Sequence, residues 1–424
     1  MAFPQSKRKF KIAFILMPIN EIRPPVSSSG LAVSVDLIID EIARRLARSH
    51  NVIVYCWRGK DQQKVEQFDG VEYRRVSNPL DRWFLSHHPY KIMRLIDLVC
   101  WRDTPRPLIN SKLWYREFIG KVVADPSLQD CDIVHIANMS QFVPVVRARL
   151  PKTLIVLHMQ CQWLEQLDAA VIERRINAAD LVLGCSDFIA AGVRQRFPSL
   201  AQRCTHIFNG ADIALFARPP GVQSKPKQLL FVGRMAPEKG VHILLDAFRI
   251  VLTQHPHAHL ELIGPEKVLP REVLLPVCDD PHVLELEAYF RSGAYSEFLR
   301  AKVSALPSGS VSFFNGGMKL IELVPHYHSA SIFAFPSVWE EPFGMPLVEA
   351  MASSTPVVAT RGGAFQEIVE DGRSGLLVER SDVQALADAI LQLLSNPDQR
   401  DSMARATFKR ASTMLLGPYR RGSS

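Results

Sequence analysis

Short apolar runs alternate with amphipathic stretches in the first half of the chain. Ile12–Met17 and Val52–Cys56 have the length and continuous apolar character of buried strands, and Leu31–Arg48 between them has the spacing of an amphipathic helix. Further runs of the same kind follow at Ile133–Ile136, Leu154–Leu157 and Leu181–Gly184. Because strands of a parallel sheet are covered on both faces, this pattern predicts a doubly wound α/β domain.

The same pattern starts again in the second half. Gln228–Val232 reads as a strand, Val241–Thr253 as a helix and His259–Ile263 as the next strand. A turn at residues 209–212 and a proline-rich connector at residues 218–226 precede this restart and predict a domain boundary. We therefore expect an α/β fold with two Rossmann-like domains facing a cleft, an N-terminal domain over residues 1–215, a C-terminal domain over residues 216–400, and a C-terminal tail over residues 401–424.

Composition narrows the class of protein. The 424 residues are 47% hydrophobic and 22% charged, which is typical of soluble globular proteins with room for two cores. Seven scattered cysteines, with no C-x-x-C pair, argue against a disulfide framework and against a zinc ribbon. The longest apolar runs are shorter than a signal sequence or a membrane span requires, so we expect a cytoplasmic protein.

The net charge of +7 belongs to the first half of the chain. Residues 1–215 contain 29 Lys and Arg against 21 Asp and Glu, and the remainder contains 21 against 22. Ten of the basic residues lie between Arg74 and Lys121, interleaved with aromatic residues. This stretch is interpreted first as a solvated helical face and second as a surface for an anionic membrane or an anionic acceptor; nucleic acid is disfavoured, since no reader motif is present.

The most informative stretch is residues 331–352. It predicts a buried strand at Ile332–Phe335, a loop over Glu340–Gly344 and a helix with Pro346 in its first turn. Backbone N–H groups at such a helix start favour an anion such as a diphosphate. Glu341 in the loop and Glu349 in the helix can then each accept hydrogen bonds from a sugar diol.

A second loop, residues 233–240, complements this stretch. Arg234 and Lys239 follow the first strand of the second domain and could neutralise a diphosphate as it leaves a sugar. A single pair of this kind is more often surface charge, and two glutamates at this spacing also occur by chance.

Taken together and in order, these motifs resemble glycosyltransferase family 4. The matching patterns are Gly-Arg-x-x-x-x-Lys-Gly, then Pro-Ser-x-x-x-Glu-Pro-Phe-Gly-x-x-x-x-Glu-Ala-Met-Ala, then Pro-Val-Val-Ala-Thr-x-Gly-Gly-x-x-x-Glu-Ile-Val. The resemblance is strong over Gln228–Asn396 and weaker over the first half. It implies the GT-B fold and retaining transfer of a hexosyl group from a nucleotide sugar, UDP-linked on our interpretation, to a hydroxyl acceptor such as a glycan, a glycolipid or a small polyol. It also implies that neither a cofactor nor a metal is needed.

The resemblance also assigns roles to residues. It implies a catalytic group of His158, Glu341, Arg234 and Lys239, in which the two cations hold the diphosphate and Glu341 contacts the sugar hydroxyls. Glu349 would hold the ribose diol, and Asn315–Met318 would grip the base through the main chain. The implied donor-binding set is Gly30, Arg234, Lys239, Asn315, Gly316, Gly317, Met318, Glu341, Phe343, Gly344, Met345, Pro346 and Glu349.

Some features depart from the family pattern or compete with it. The family usually has a pair of glycines in its first loop, and here Ser29 precedes Gly30. The long segment 264–311 suggests a lid or an acceptor-side insertion. Asp130–Asp132 and the histidines 326 and 328 are interpreted as structural rather than as metal ligands. The alternatives left open are a sugar-nucleotide 2-epimerase and a non-catalytic sugar-nucleotide-binding scaffold.

Overall fold

The computed structural model describes residues 8–26, 34–86, 111–291 and 293–414. The chain divides into two compact units, the first comprising most of the residues up to 206 and the second comprising mainly the residues from 207 onward. The boundary expected from the sequence, at 215/216, falls in the helix Ile213–Phe216 of the second unit. Gly30 lies outside the described residues.

The first unit contains an eight-stranded sheet in the order β3-β4-β2-β1-β5-β6-β7-β8, in which β3 and β4 are antiparallel and the other neighbouring pairs are parallel. Its strands are β1 (Lys11–Ile15), β2 (Asn51–Trp57), β3 (Val65–Phe68), β4 (Val71–Val76), β5 (Ile133–Ala137), β6 (Leu154–Met159), β7 (Leu181–Gly184) and β8 (Cys204–His206).

Helices cover this sheet because each carries one apolar face. Ile39 and Ala43 of the helix after β1 pack with Phe14 of β1 and Val54 of β2 in one buried cluster. The described α-helices of this unit are Ser34–Ala47, Pro79–Ser86, Arg116–Val123, Pro126–Gln129, Phe142–Arg149, Trp163–Gln166, Ala169–Ile176 and Asp187–Arg196. A 3₁₀ helix spans Pro198–Arg203.

The second unit contains a six-stranded parallel sheet in the order β11-β10-β9-β12-β13-β14. Its strands are β9 (Gln228–Val232), β10 (His259–Ile263), β11 (Val311–Phe314), β12 (Ile332–Phe335), β13 (Val357–Thr360) and β14 (Gly375–Val378). The central strands β9, β12 and β13 are buried throughout. Since all six strands run the same way, the loops after them emerge at one edge of the sheet.

The α-helices of the second unit are Ile213–Phe216, Val241–Gln254, Arg271–Leu274, Pro281–Leu284, Ala294–Ser304, Leu320–Ser329, Met345–Ala352, Phe365–Ile368, Val383–Ser395 and Pro397–Thr413, with 3₁₀ helices at Pro237–Lys239, Leu275–Val277 and Glu287–Phe290. Residues 401–413, which the sequence assigns to a tail, therefore belong to a helix. Among the described residues, no helix combines the length and the apolar character that crossing a membrane would need.

Candidate functional site

The two loops that carry the predicted charges meet at the carboxyl edge of the second sheet. Lys239 follows β9 and Glu341 follows β12, and the Lys239 Nζ lies 2.5 Å from Glu341 Oε1. Both side chains are largely buried. Ser337 adds a hydrogen bond of 2.7 Å from its hydroxyl to the same carboxylate oxygen. A charge-assisted bond of this kind fixes both side chains in the loop region.

Arg234 is anchored on the same β9 loop. One of its terminal nitrogens donates to Glu238 Oε1 at 2.5 Å and the other donates to the carbonyl of Lys267 at 2.9 Å. Glu238 is fully buried, so the guanidinium is tied to a carboxylate below the surface. A guanidinium has five N–H groups, and these two contacts leave others for an anion.

The helix Met345–Ala352 begins beside this loop region at Gly344. Gly344 has a φ of +88°, and a Cβ built on it would lie 2.3 Å from Cε1 of Phe365. Glycine is therefore required here both by the backbone conformation and by the neighbouring ring. Pro346 occupies the first turn, where its missing N–H is not needed.

Glu349 is buried in that helix and is hydrogen-bonded to a residue that the sequence analysis did not identify. The hydroxyl of Tyr327 donates to Glu349 Oε2 at 2.7 Å, and both side chains are buried. Burial raises the pKa of Glu349 to about 7, and the bond from Tyr327 opposes part of that rise. The carboxyl is thus held in one orientation, with Oε2 engaged.

The Gly362-Gly363 pair of the third family pattern lies after β13 and supports the loop that contains Glu341. Gly363 has a φ of +55°, and a Cβ on it would lie 2.3 Å from the carbonyl oxygen of Glu341. The N–H of Ala364 donates to that carbonyl at 2.9 Å, and the N–H of Gly363 donates to Glu340 Oε2. The close backbone approach explains why the motif needs glycine.

The predicted base-binding residues lie further along the same edge, after β11. The Asn315 side chain is exposed and exchanges two hydrogen bonds with Glu266, through the Glu266 N–H (3.2 Å) and Glu266 Oε1 (3.3 Å). Gly316 has a φ of +137° and no atom near its Cβ position. β11 is separated from β9 by β10 alone, so the four predicted residues 315–318 follow a strand of the same parallel sheet as Lys239.

His158 belongs to the first unit, near the end of β6, and is buried. Its Nδ1 lies 3.1 Å from Nε2 of His135, and its Nε2 lies 3.0 Å from Nε2 of Gln160. Burial lowers the pKa of His158 to about 4 and lowers that of His135 well below its ordinary value. Both imidazoles are therefore neutral near pH 7.

The acidic residues and histidines whose spacing resembles that of metal ligands have other partners. Asp132 accepts from the N–H of Lys11 at 2.9 Å and from Arg8 at 2.8 Å. His326 lies 3.2 Å from Glu261, and His328 lies 2.8 Å from the carbonyl of Phe216. Within the part of the chain that the structure describes, no three His, Cys, Asp or Glu side chains form a metal-binding group.

The basic and aromatic stretch from Arg74 to Lys121 is only partly described, since residues 87–110 lie outside the described ranges. Arg74 is paired with Glu72 and Asp125, and Trp114 and Phe118 are buried. Trp83 is 56% exposed. The described part of this stretch is therefore mainly packed and paired.

Two family models match adjoining parts of the chain. Residues 35–215 match the family model described as Glycosyltransferase Family 4, and residues 212–410 match the model described as Glycosyl transferases group 1. The chain belongs to glycosyltransferase family 4. The family, the glycosyltransferase activity and the GT-B fold class predicted from the sequence are confirmed.

Curated relatives resemble this glycosyltransferase over different lengths. It is 23% identical to the Spore coat protein SA of Bacillus subtilis over 421 residues, which cover 95% of each chain. It is 34% identical to a D-inositol 3-phosphate glycosyltransferase of Corynebacterium urealyticum over 264 residues, which cover 58% of this chain and 57% of the relative.

Among solved structures, the glycosyltransferase is similar to HepE of Anabaena, whose crystal structure is in complex with UDP and glucose. The TM-score is 0.65 at 20% identity, and the match covers 96% of each chain. At that identity the likeness shows the shared fold.

Proposed function

We propose that this glycosyltransferase transfers a hexosyl group from a UDP-linked sugar to a hydroxyl group of its acceptor, with retention of anomeric configuration. The observation that carries the proposal is the bond between Lys239 and Glu341, which brings a cation and a carboxylate of the family motifs together at one sheet edge. The UDP and glucose bound to the similar HepE structure support this choice of donor.

The β9 loop would hold the diphosphate. Lys239 has three N–H groups and gives one to Glu341, so two others can turn to phosphate oxygens. Arg234, anchored by Glu238, would supply the second cation. The negative charge on the diphosphate grows as its bond to the sugar breaks, and two fixed cations stabilise that charge.

The reaction conserves atoms in a single exchange. The bond between the anomeric carbon and the diphosphate oxygen breaks, and a bond from the acceptor oxygen forms on the same face of the sugar. The acceptor proton passes to the leaving phosphate, as the family resemblance implies, so this proposal requires no protein base. Glu341 would accept hydrogen bonds from sugar hydroxyls beside the reacting carbon.

His158 and Glu349 would contact other parts of the donor. As the family resemblance implies, His158 in its neutral form would hydrogen-bond a sugar hydroxyl without adding charge. Glu349 would accept the ribose hydroxyls, with Tyr327 orienting its carboxylate. Asn315–Met318 would contact the base through the main chain.

The acceptor would bind the first unit, whose residues carry the excess of basic charge. An anionic or lipid-linked acceptor, and peripheral association with an anionic membrane surface, suit this charge. The scattered, odd set of cysteines supports a reducing cytoplasmic location.

The first experiment measures binding. Calorimetry with UDP, GDP and ADP, followed by UDP-glucose, UDP-galactose and UDP-N-acetylglucosamine, should show the tightest binding for UDP and one UDP-sugar. Lys239→Ala and Arg234→Ala should each weaken UDP binding about tenfold or more, because each removes a charge-assisted contact. Lys409→Ala, an exposed lysine on the C-terminal helix, is the matched control and should bind UDP normally.

The second experiment examines the product. Proton NMR of the new linkage should show the anomeric configuration of the donor. UDP binding that survives both Lys239→Ala and Arg234→Ala would contradict the assignment of the diphosphate site. Release of an isomerised free sugar without an acceptor would indicate the epimerase alternative, and binding without donor turnover across an acceptor panel would indicate the scaffold.

A further inference from the structure

Besides the Lys267 carbonyl that accepts from Arg234, the connection between β10 and β11 (residues 264–310) makes further contacts around the candidate site. This β10–β11 connection contains the helices Arg271–Leu274, Pro281–Leu284 and Ala294–Ser304. The contacts are made by Tyr295, by an apolar cluster around Val283, and by Asp280. They reach the helix after the β9 loop, the β12 loop and the segment after β14, respectively.

The first contact fixes the connection to the helix that follows the β9 loop. Tyr295 is fully buried, and its hydroxyl lies 3.0 Å from Nδ1 of His242 and accepts from the His242 N–H at 3.3 Å. His242 is the second residue of the helix Val241–Gln254, three positions after Lys239. The connection is thereby tied to the backbone just beyond the proposed diphosphate loop.

The second contact involves Trp339 of the β12 loop. Leu274, Val283 and Phe290 of the connection form a buried cluster, and Trp339 packs against it. The Nζ of Lys239 lies 4.8 Å from the centroid of the Trp339 ring, within the range of a cation–π interaction. Apolar side chains of the connection therefore pack against Trp339 of the β12 loop, beside Lys239.

The third contact is a chain of charged groups centred on Arg380, which follows β14. Arg380 donates to Asp280 of the connection and, at 3.0 Å, to the carbonyl of Val338 in the β12 loop. Its Nη2 also lies 3.2 Å from Glu340 Oε1. The Arg380 and Asp280 side chains are only 16% and 14% exposed, so solvent screens this contact weakly.

Glu340 extends the chain to the loop after β13. Its second oxygen accepts from the Gly363 N–H, while the neighbouring Ala364 N–H donates to the Glu341 carbonyl. Hydrogen bonds and ion pairs thus run from Asp280 through Arg380 and Glu340 to Gly363. The residue next to Glu340 is Glu341, the proposed contact for the donor sugar.

We propose that Arg380 is a positioning residue for the sugar subsite, and that Asp280 of the β10–β11 connection holds Arg380 in place. The connection is then a fixed wall of the donor site in the second unit. This inference rests on the proposed function, because it concerns the sugar contact assigned to Glu341. The diphosphate contacts of Arg234 and Lys239 do not pass through Arg380, so the sugar and diphosphate subsites depend differently on this chain of contacts.

Asp280→Asn isolates the charge of the outer residue. Asp280 caps the helix Pro281–Leu284 by accepting from the His282 N–H at 3.1 Å, and asparagine is an equally good cap. The variant therefore keeps the local fold and removes the ion pair. Asp279→Asn is the matched control, since Asp279 is exposed, adjacent and equal in charge.

Two measurements test the proposal. Hydrogen exchange of the unliganded protein should be about tenfold faster at Gly363 and Ala364 in Asp280→Asn, because a charged hydrogen-bond partner is lost. Calorimetry should show about tenfold weaker binding of the UDP-sugar selected above and unchanged binding of UDP. Asp279→Asn should match the wild type in both measurements.

Arg380→Gln provides the second variant. Asp280→Asn should have no further effect in the Arg380→Gln background, since the two residues act through one contact. Unchanged exchange in Asp280→Asn, or equal losses for UDP and the UDP-sugar, would overturn the proposal. Failure of the proposed function gives a different result: the wild type binds no nucleotide, while the exchange at Gly363 still responds to Asp280→Asn.

Discussion

At the scale of single residues, Glu349 shows how burial sets a protonation state. Its pKa is about 7 instead of the ordinary 4.5, because the carboxylate form is poorly solvated in the second unit. Between these two values the folded protein retains a proton that the unfolded chain has lost. The stability contributed by this group is therefore fully present below about pH 4.5 and declines until the pH reaches about 7.

We expect this pH dependence to disappear in Glu349→Gln. On raising the pH from 5 to 8, the wild type should lose at most about 3 kcal/mol of unfolding free energy relative to the variant. Denaturant titrations of both proteins at several pH values measure this difference. Burial also raises the pKa of Asp36, to about 6, but Asp36 is present in both proteins and its contribution cancels in the difference. A constant difference across this range would show that Glu349 is ionised throughout.

His158 should keep one protonation state over the same pH range. Because burial lowers its pKa to about 4, its ring should not titrate between pH 5 and 8. Nitrogen-15 NMR of the ring nitrogens measures this directly. A His158 midpoint near 6.5 would contradict the neutral role proposed for this residue.

At the scale of elements, the start of the helix Met345–Ala352 depends on one glycine. Alanine at Gly344 would incur the cost of a left-handed backbone and would also collide with Phe365. Gly372 has a similar φ of +76° but open space at its Cβ position, so it separates the two effects. Gly372→Ala should cost about 1 kcal/mol and Gly344→Ala about 2–4 kcal/mol.

Thermal and denaturant unfolding of the two variants measure these costs. Gly344→Ala should also weaken UDP binding, because the amides at the helix start would shift, and Gly372→Ala should bind UDP normally. Phe365→Leu should recover part of the stability of Gly344→Ala. Equal costs for the two glycines would show that Phe365 moves aside freely.

Buried elements were easier to predict than exposed ones. Central strands such as β9 and β12 are continuous apolar runs, and their predicted bounds agree with the structure. The hairpin of β3 and β4 was not predicted, because its half-exposed strands mix charged and apolar residues. The Asp69-Gly70 pair between them, a typical two-residue hairpin turn, was the available signal.

The candidate site divides in the same way. Lys239 and Glu341 belong to local motifs and could be chosen from the sequence, and the structure brings them together. Tyr327 contacts Glu349 and Arg380 contacts Glu340 from other elements of the fold, and no local sequence pattern relates the members of either pair. Their roles depend on the packing of distant segments, which spacing along the chain does not encode.

At the scale of the whole molecule, we expect donor turnover to be independent of divalent metal. Arg234 and Lys239 supply two fixed positive charges where other glycosyltransferases would need a cation for the diphosphate. Excess EDTA should leave the turnover rate unchanged, and added Mg²⁺ should not raise it. A loss of rate that returns with Mg²⁺ would show that these side chains are insufficient.

The bond between Lys239 and Glu341 affects which ligands can bind to these two residues. Within this pair each charge is neutralised by the other. An anion alone would have to compete with Glu341 for Lys239, and it would offer the Glu341 carboxylate no hydrogen-bond donor to replace Lys239. A nucleotide sugar brings both a diphosphate and hydroxyl groups, so on the proposed assignment it can replace both partners at once and displace the internal pair.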